Sequence, residues 1–482
     1  MLNVFTLPPE ILGSIFWWNT ILEESKKRSY TFILVCHYWY EVAIRTPELW
    51  GFWGNTPSSW AKRHNKYPNV PLDLVLDGGE LKGEPLDASV GNMLRDRASR
   101  HTIRLIHLRS GDSDLLRSIL HVLAGDGKEV QRSSVGSFTL QIEGHGRANV
   151  AGFFAHNSFP KLRCLDLTNC TILPWDHLSS HATSLTTLIL RLNTSIMPPS
   201  PRLLSFLAFN PALRKLILTG LSFSLNGGWN GDCPRVSLPH LEELDLSGES
   251  ICVSTLLSKL DHPNLMRHVD ITLTHCAAKG VSRAIGPYVR DYLRRRGRLG
   301  NSLGLGVSLK GRSLALHVDD ADPLHPPTQT IERINRFLSI AINTNHMHPD
   351  ESSEEVILDL IGYTPRDDIA YLRTYDNPVA MKNVYALLPN LVRLHSKGIL
   401  LSDALPAINL DPVNRSLTHL RRVSFERLVV RDWIPLVTFL SPYVSSGRRL
   451  DSLEITTFAN MPAQVEEKIR NLVGEFKLVY LR

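Results

Sequence analysis

LRCLDLTNCTI, residues 162–172, sets Leu162, Leu165, Leu167, Cys170 and Ile172 at steps of three, two, three and two. Leu165 and Leu167 alternate around Asp166, which is the period of a short strand with one buried face. An asparagine and a cysteine follow, and an amide or small side chain there suits a turn that must satisfy backbone groups. One such unit cannot bury its own apolar side, whereas stacked copies can.

Copies are present. Leu185, Leu188 and Leu190 with Asn193 repeat the frame, as do Leu213, Leu216, Leu218 with Leu221, and Leu241, Leu244, Leu246 with Ile251. Upstream, Ile103, Ile106, Leu108 and Val135, Phe138, Leu140 fit it. Downstream it returns at Leu391 and Leu394, at Leu420, Val423, Phe425, Leu428, and at Leu450, Leu453, Ile455, Phe458. From residue 103 to residue 241 the first apolar positions step by 32, 27, 23, 28 and 28 residues. Four units are preceded by proline, in FPKL, NPAL, LPHL and LPNL. This template and spacing resemble leucine-rich repeats, whose period is roughly 20–29 residues. The resemblance implies an α/β fold in which a curved solenoid carries a mostly parallel sheet on its concave side.

Between the strands the sequence supplies helical returns at SPRLLSFLAF (201–210) and ICVSTLLSKL (251–260). A third is expected at TIERINRFLSIAI, where Ile331, Ile334, Leu338 and Ile342 share a helical face, and QVEEKIRNLVGEF closes the C-terminal end. From about 275 to 390 the frame is lost. Strand-like LALHV (314–318) and VILDL (356–360) stand far apart, so long insertions are expected there. VRDYLRRRGR, with Arg290, Arg294, Arg295, Arg296 and Arg298, reads as a solvated helix end or loop, because no aromatic platform for nucleic-acid bases accompanies it.

The composition narrows the function classes. At 482 residues and 43% hydrophobic content the chain has ample material for a large core. No stretch approaches the roughly 18 apolar residues of a membrane span, and MLNVFTLPPEIL lacks the basic region and cleavage site of a signal peptide. A cytoplasmic or nuclear protein is therefore expected. Six cysteines without a CxxC pair read as small buried hydrophobes in a reducing compartment. A net charge of +6 is modest for this length, so nucleic acid is not the expected partner. NHMHPDE, with His346, His348, Asp350 and Glu351, reads as a polar loop and not as a metal site. The acidic VDDAD run lacks calcium-loop spacing, and GLGVSLKG matches no phosphate-binding motif. No nucleophile-elbow, zinc-hydrolase or Cys/His catalytic signature is present. Neither enzyme, cofactor nor metal is expected.

The N-terminal segment carries a different pattern. In TLPPEILGSIF, Pro8 and Pro9 open a helix with Ile11, Leu12, Ile15 and Phe16 as its apolar stripe. LVCHYWYEVAIRTPELW follows at 34–50, a second helix with Leu34, Val35, Trp39, Val42 and Ala43, stopped by Pro47. Some 50 residues with two or three short helices are expected to leave these rings, Trp39, Trp50 and Phe16, in need of an outside cover. Leu7-Pro8-x-Glu10-Ile11-Leu12, Ile15-Phe16, Leu34-Val35-Cys36-x-x-Trp39-x-x-Val42-Ala43 and Pro47-x-Leu49-Trp50 resemble an F-box, over about residues 4–53. Joined to an irregular repeat array, it is similar to a large group of fungal F-box proteins. His37-Tyr38 and the EESKKR enlargement of the first connection depart from the family pattern.

That resemblance implies a non-catalytic substrate-recognition subunit of an SCF-type cullin-RING ubiquitin ligase. The F-box would dock on a Skp-family adaptor, and Leu7, Pro8, Ile11, Leu12, Ile15, Val35, Trp39 and Leu49 would meet it or hold the helices that do. Residues 54–100 would be a linker and first strand, and 101–482 the irregular array with its long insertions. Positions flanking the inward leucines would then face a protein substrate: Asp166, Arg191, Lys215, Glu243, Asp245, Arg393, His395 and Glu454. The alternative is a ligase-independent leucine-rich-repeat binding scaffold, associated with nucleic acid through its arginine run.

Overall fold

The computed structural model describes residues 7–22, 34–46, 49, 57–66, 72–77, 88–99, 103–124, 130–131, 134–144, 146–155, 157–171, 178, 182–191, 200–222, 235–261, 266–274, 278–297, 303–310, 313–320, 336–343, 353–364, 367, 369–375, 382–398, 419–445, 447 and 449–481. The chain forms two compact units, Met1–Leu218 with Ser224–His240, and Thr219–Phe223 with Leu241–Arg482.

In the first unit, strands β1 (Leu72–Asp77), β2 (Ile103–Ser110), β3 (Ser137–Ile142), β4 (Cys164–Thr168) and β5 (Thr187–Arg191) lie in chain order and pair in parallel. β6 (Lys215–Leu221) begins beside β5, with the amides of Arg214 and Lys215 donating to the Thr186 carbonyl. Leu72, Leu74, Leu76, Ile106, Leu108, Phe138, Leu140, Leu165, Leu167, Leu188 and Leu190 are all buried, as the period-2 pattern requires. The mixed α/β class and the parallel sheet of the sequence reading are both present.

The prolines before the strands have a local cause. In Phe159-Pro160-Lys161-Leu162, Asn210-Pro211-Ala212-Leu213 and Leu388-Pro389-Asn390-Leu391, the leucine amide donates to the carbonyl three residues back. Proline at the second position of such a turn arrives with its φ already set. The buried amide of Asn210 closes the same region twice: its Nδ2 donates to the Phe206 carbonyl at 3.0 Å, and its Oδ1 accepts from the Leu185 amide at 3.2 Å. Asn169 takes the left-handed conformation that asparagine tolerates, at φ 57°, and its Nδ2 reaches the Ile142 carbonyl at 2.8 Å. Under β3, the rings of Phe138, Phe153, Phe154 and Phe159 form one cluster with centroids 5.1–6.4 Å apart.

Helices α1 (Pro9–Leu22) and α2 (His37–Arg45) enclose a small core of their own, made of Leu12, Phe16, Val42, Ala43 and Leu49, with Leu7, Tyr38 and Trp39 packed against it. Within the chain Phe16 is 2% exposed and lies 5.0 Å from the Trp39 ring. Trp50 and the EESKKR stretch fall outside the described residues. The 54–100 region, read as linker and strand, also holds α3 (Pro57–Lys66) and α4 (Ala88–Ser99). Trp60 of α3 is fully buried, its indole N–H donating to the Val75 carbonyl of β1 at 3.2 Å.

In the second unit, β7 (Glu243–Glu249) pairs in parallel with β8 (His268–Thr274). The middle of the chain departs most from expectation. β9 (Leu303–Lys310) and β10 (Ser313–Asp320) form an antiparallel hairpin, and β11 (Arg336–Asn343) pairs antiparallel with β10 and parallel with β8. The expected helix over TIERINRFLSIAI is therefore overturned, because its Leu338, Ile340 and Ile342 alternate on β11 in register with Val269, Ile271 and Leu273. Ile331 and Ile334 lie outside the described residues. Conversely VILDL belongs to a helix, Ser353–Gly362, which buries Leu360 and Ile361. So part of the 275–390 insertion joins the sheet instead of leaving it.

β9 then pairs in parallel with β12 (Ile369–Tyr375), and β13 (Arg393–Lys397), β14 (Arg422–Leu428), β15 (Leu450–Thr457) and β16 (Val473–Tyr480) follow in parallel succession. The arginine run ends the helix Ala278–Gly297. Tyr288, Val289, Tyr292 and Leu293 are buried, Arg290, Arg294 and Arg295 are exposed, and the Tyr292 hydroxyl donates to the Met266 carbonyl at 3.0 Å. Arg298 and the NHMHPDE stretch lie outside the described residues.

Candidate functional site

The eight residues that the F-box resemblance assigns to the adaptor separate by burial. Leu12 and Leu49 belong to the core between α1 and α2, and Leu7 and Trp39 pack on it. Pro8 is exposed, and Ile11, Ile15 and Val35 are 51%, 47% and 58% exposed. Leu34 (81%), just before α2, and Ile44 (47%) of α2 are exposed as well.

The local chemistry explains the division. Pro9 supplies the first helical position, where its missing N–H costs nothing, and the Pro8 carbonyl accepts from the Leu12 amide. Cys36 caps α2 by accepting from the Trp39 amide at 3.5 Å. The Tyr38 hydroxyl donates to the Leu7 carbonyl at 2.7 Å, and Gly13 lets α1 approach Thr46, whose Oγ1 would lie 2.7 Å from any added Cβ. Leu12 and Phe16 thereby stay on the side that meets Val42 and Ala43. Ile11 and Ile15, one turn apart, project elsewhere.

The substrate-facing candidates fall on both units. In the first, Asp166 of β4 is buried among polar partners. Gln141 donates to its Oδ2 at 3.1 Å and Arg191 to its Oδ1 at 3.5 Å. Burial raises its pKa, opposed by Arg191 and the Gln141 hydrogen bond. Asp166 and Arg191 thus form a linked pair, and Lys215 is half-buried at the start of β6. In the second unit, Glu243 and Asp245 sit on β7 in register with His268 and Asp270.

Arg393, His395 and Glu454 come together with residues that sequence reading missed. The register aligns Tyr371, Arg393, Arg422, Ser452 and Glu475 in one row across β12–β16. A second row contains Arg373, His395, Ser424, Glu454 and Lys477, and Lys397 faces Glu426 in a third. The Arg393 guanidinium lies 5.5 Å over the Tyr371 ring, Lys397 holds Glu426, and Lys477 holds Glu454 at 2.6 Å. His395 is largely covered, with Nε2 3.4 Å from a Glu426 oxygen. Burial and the positive charges of Arg373 and Arg393 push its pKa down to about 4, against the pull of Glu426. Burial also lowers the Arg393 pKa, and the fields of Arg422 and Arg373 add to that.

Among the described cysteines, Cys36 and Cys164 are half-buried. Cys170 and Cys252 are buried and their thiols are pushed up to about 12, chiefly by desolvation. Among the described residues no group of three or more metal-ligating side chains occurs, and no helix is long and apolar enough to cross a membrane.

No family model matches the chain. No curated protein matches it either. Among solved structures, the crystal structure of an internalin from Listeria monocytogenes is similar at 12% sequence identity, over 79% of this chain and 92% of that one, with a TM-score of 0.29.

Proposed function

We propose that this chain is a non-catalytic recognition subunit, in which α1 and α2 act as an F-box docking on a Skp-family adaptor of an SCF-type cullin-RING ubiquitin ligase. The polar face of the parallel sheet, which carries leucine-rich repeats on this reading, receives a protein substrate. The observation that supports the docking half is the exposure of Ile11 and Ile15 on α1 and of Leu34 and Val35 just before α2, while Leu12, Phe16, Val42 and Ala43 of the same helices are buried. Four large aliphatic side chains are costly to leave in water, at about 25 cal/mol per Å² of apolar surface. Three of them are positions that the F-box resemblance gives to the adaptor.

The reading is tested by co-expressing the full chain with a Skp-family adaptor. Wild type is expected to co-purify with it, while Ile11→Asp with Ile15→Asp is expected to lose it, because two charges would be desolvated at the contact. Equal recovery of adaptor by both proteins overturns the reading.

A ligase-independent binding scaffold is the second reading. The burial of Leu12, Phe16, Val42, Ala43 and Leu49 within the chain favours it, since these side chains need no adaptor to cover them. The exposed arginines of the helix Ala278–Gly297 lie opposite a buried tyrosine face, which makes them the solvated side of an amphipathic helix and gives no support to a nucleic-acid extension.

A further inference from the structure

The two end strands differ in what covers them. On β1, in the first unit, the indole N–H of the buried Trp60 donates to the Val75 carbonyl. On β16, in the second unit, β15 is the one strand partner among the described residues. The Leu481 amide donates to the Thr457 carbonyl of β15 at 2.8 Å, so by the alternation of a strand Gly474, Phe476, Leu478 and Tyr480 turn their amides and carbonyls away from β15. Such a row is a template for another strand. Arg470, held by Glu466, reaches the Phe476 carbonyl at 3.4 Å and takes one of that oxygen's two lone pairs.

The side chains restrict what can pair there. Glu475 and Lys477 are both exposed on one face of the edge, with Phe476 turned to the other. A second copy laid antiparallel about a two-fold axis at Phe476 sets Phe476 opposite Phe476 and Gly474 opposite Leu478 as hydrogen-bonded pairs. It also sets Glu475 of each copy opposite Lys477 of the other in the closely spaced, non-hydrogen-bonded position. Glu454 of β15 already holds Lys477 at 2.6 Å, so each lysine then stands between two carboxylates. An axis at Glu475 or at Lys477 would place like charges opposite each other, which disfavours those registers. Val479 and Tyr480, 37% and 46% exposed, add apolar surface to the same strand.

We infer that the outer edge of β16 is a self-association surface, on which a second copy of this chain adds its own β16 antiparallel to form a two-fold dimer. Joining copies head to tail would require the β1 edge, where Trp60 occupies the Val75 carbonyl, whereas the two-fold pairing closes on itself. The inference goes beyond adaptor docking and uses none of its residues.

The experiment is sedimentation velocity on the full chain over a concentration series, which is expected to show a monomer–dimer equilibrium. Glu475→Lys and Lys477→Glu each set like charges opposite at two symmetric places and should weaken the dimer roughly tenfold or more. An equimolar mixture of the two variants should recover it as a heterodimer, because every facing pair is then opposite in sign. The amides of Phe476, Leu478 and Tyr480 should exchange more slowly as concentration rises. Thermal melting shows that each variant is folded; should Lys477→Glu unfold, Glu475→Lys and the exchange of these three amides decide. A chain that stays monomeric at its highest soluble concentration, unchanged dimer affinity in the folded variants, or a mixture no more dimeric than its components overturns the inference. Ile11→Asp with Ile15→Asp is expected to leave the dimer intact; its loss there with retention in Glu475→Lys would place the interface on α1 and overturn the inference as well.

Discussion

His395 is a titratable residue of the sheet face whose environment is far from water. Its pKa in the folded chain, about 4, lies below the ordinary value near 6.5, so between these limits the unfolded chain binds more protons than the folded one. The stability contributed by keeping the ring neutral is present above pH 6.5 and is lost as pH falls toward 4. Denaturant unfolding across that window should show wild type losing about 2–3 kcal/mol more than His395→Gln; parallel pH profiles would contradict the assignment. Asn210 makes a second residue-level claim. Its side chain satisfies one buried amide and one carbonyl, so Asn210→Ala should cost about 2–4 kcal/mol in equilibrium unfolding, and a cost under about 0.5 kcal/mol would show those groups satisfied in another way. Neither role was legible in the sequence. His395 was placed on the polar face by the alternation around Leu394, but its burial depends on Arg373 and Glu426, brought beside it only by strand pairing. Tyr371 and Arg373 alternate in IAYLRTY, which is the one local signal that could have found them.

At the scale of elements, the leucine frame identified β2 to β7 and β13 to β15 because one buried face with period 2 leaves few alternatives. It failed where the periodicity was ambiguous. TIERINRFLSIAI satisfies helical spacing through 331, 334, 338 and 342, yet Leu338, Ile340 and Ile342 satisfy a strand equally, and pairing to β8 and β10 decides it. VILDL is a short, mostly apolar run interrupted by Asp359, and so few residues suit a strand or a helix alike. The element-level prediction concerns β4. Leu165 is 1% exposed, so Leu165→Asp places an unpaired charge in the stacked core and should destabilise the first unit by more than about 4 kcal/mol. Hydrogen exchange should show β3 and β5 losing protection along with β4; loss confined to β4 would mean that the strands do not share one core.

For the whole molecule, the composition, the repeat frame and the N-terminal pattern together pointed to a protein that binds other proteins without chemistry of its own. The burial of Leu12 and Phe16 within the chain was not expected of the segment alone, because the reading weighed its length against its ring area. Its consequence is that the surface offered to a partner is aliphatic, made by Ile11, Ile15, Leu34 and Val35, and not by the rings of Phe16 and Trp39. The isolated chain should accordingly bind a hydrophobic dye such as ANS, and Ile11→Asp with Ile15→Asp should reduce that signal while leaving the melting temperature nearly unchanged. An equal dye signal would place the exposed apolar patch elsewhere. The most direct test of the central claim is hydrogen–deuterium exchange on the full chain with and without a Skp-family adaptor. The account predicts new protection concentrated in 7–22 and 34–46, with β12–β16 unchanged. Adaptor that leaves 7–22 and 34–46 exchanging as in the free chain would contradict it.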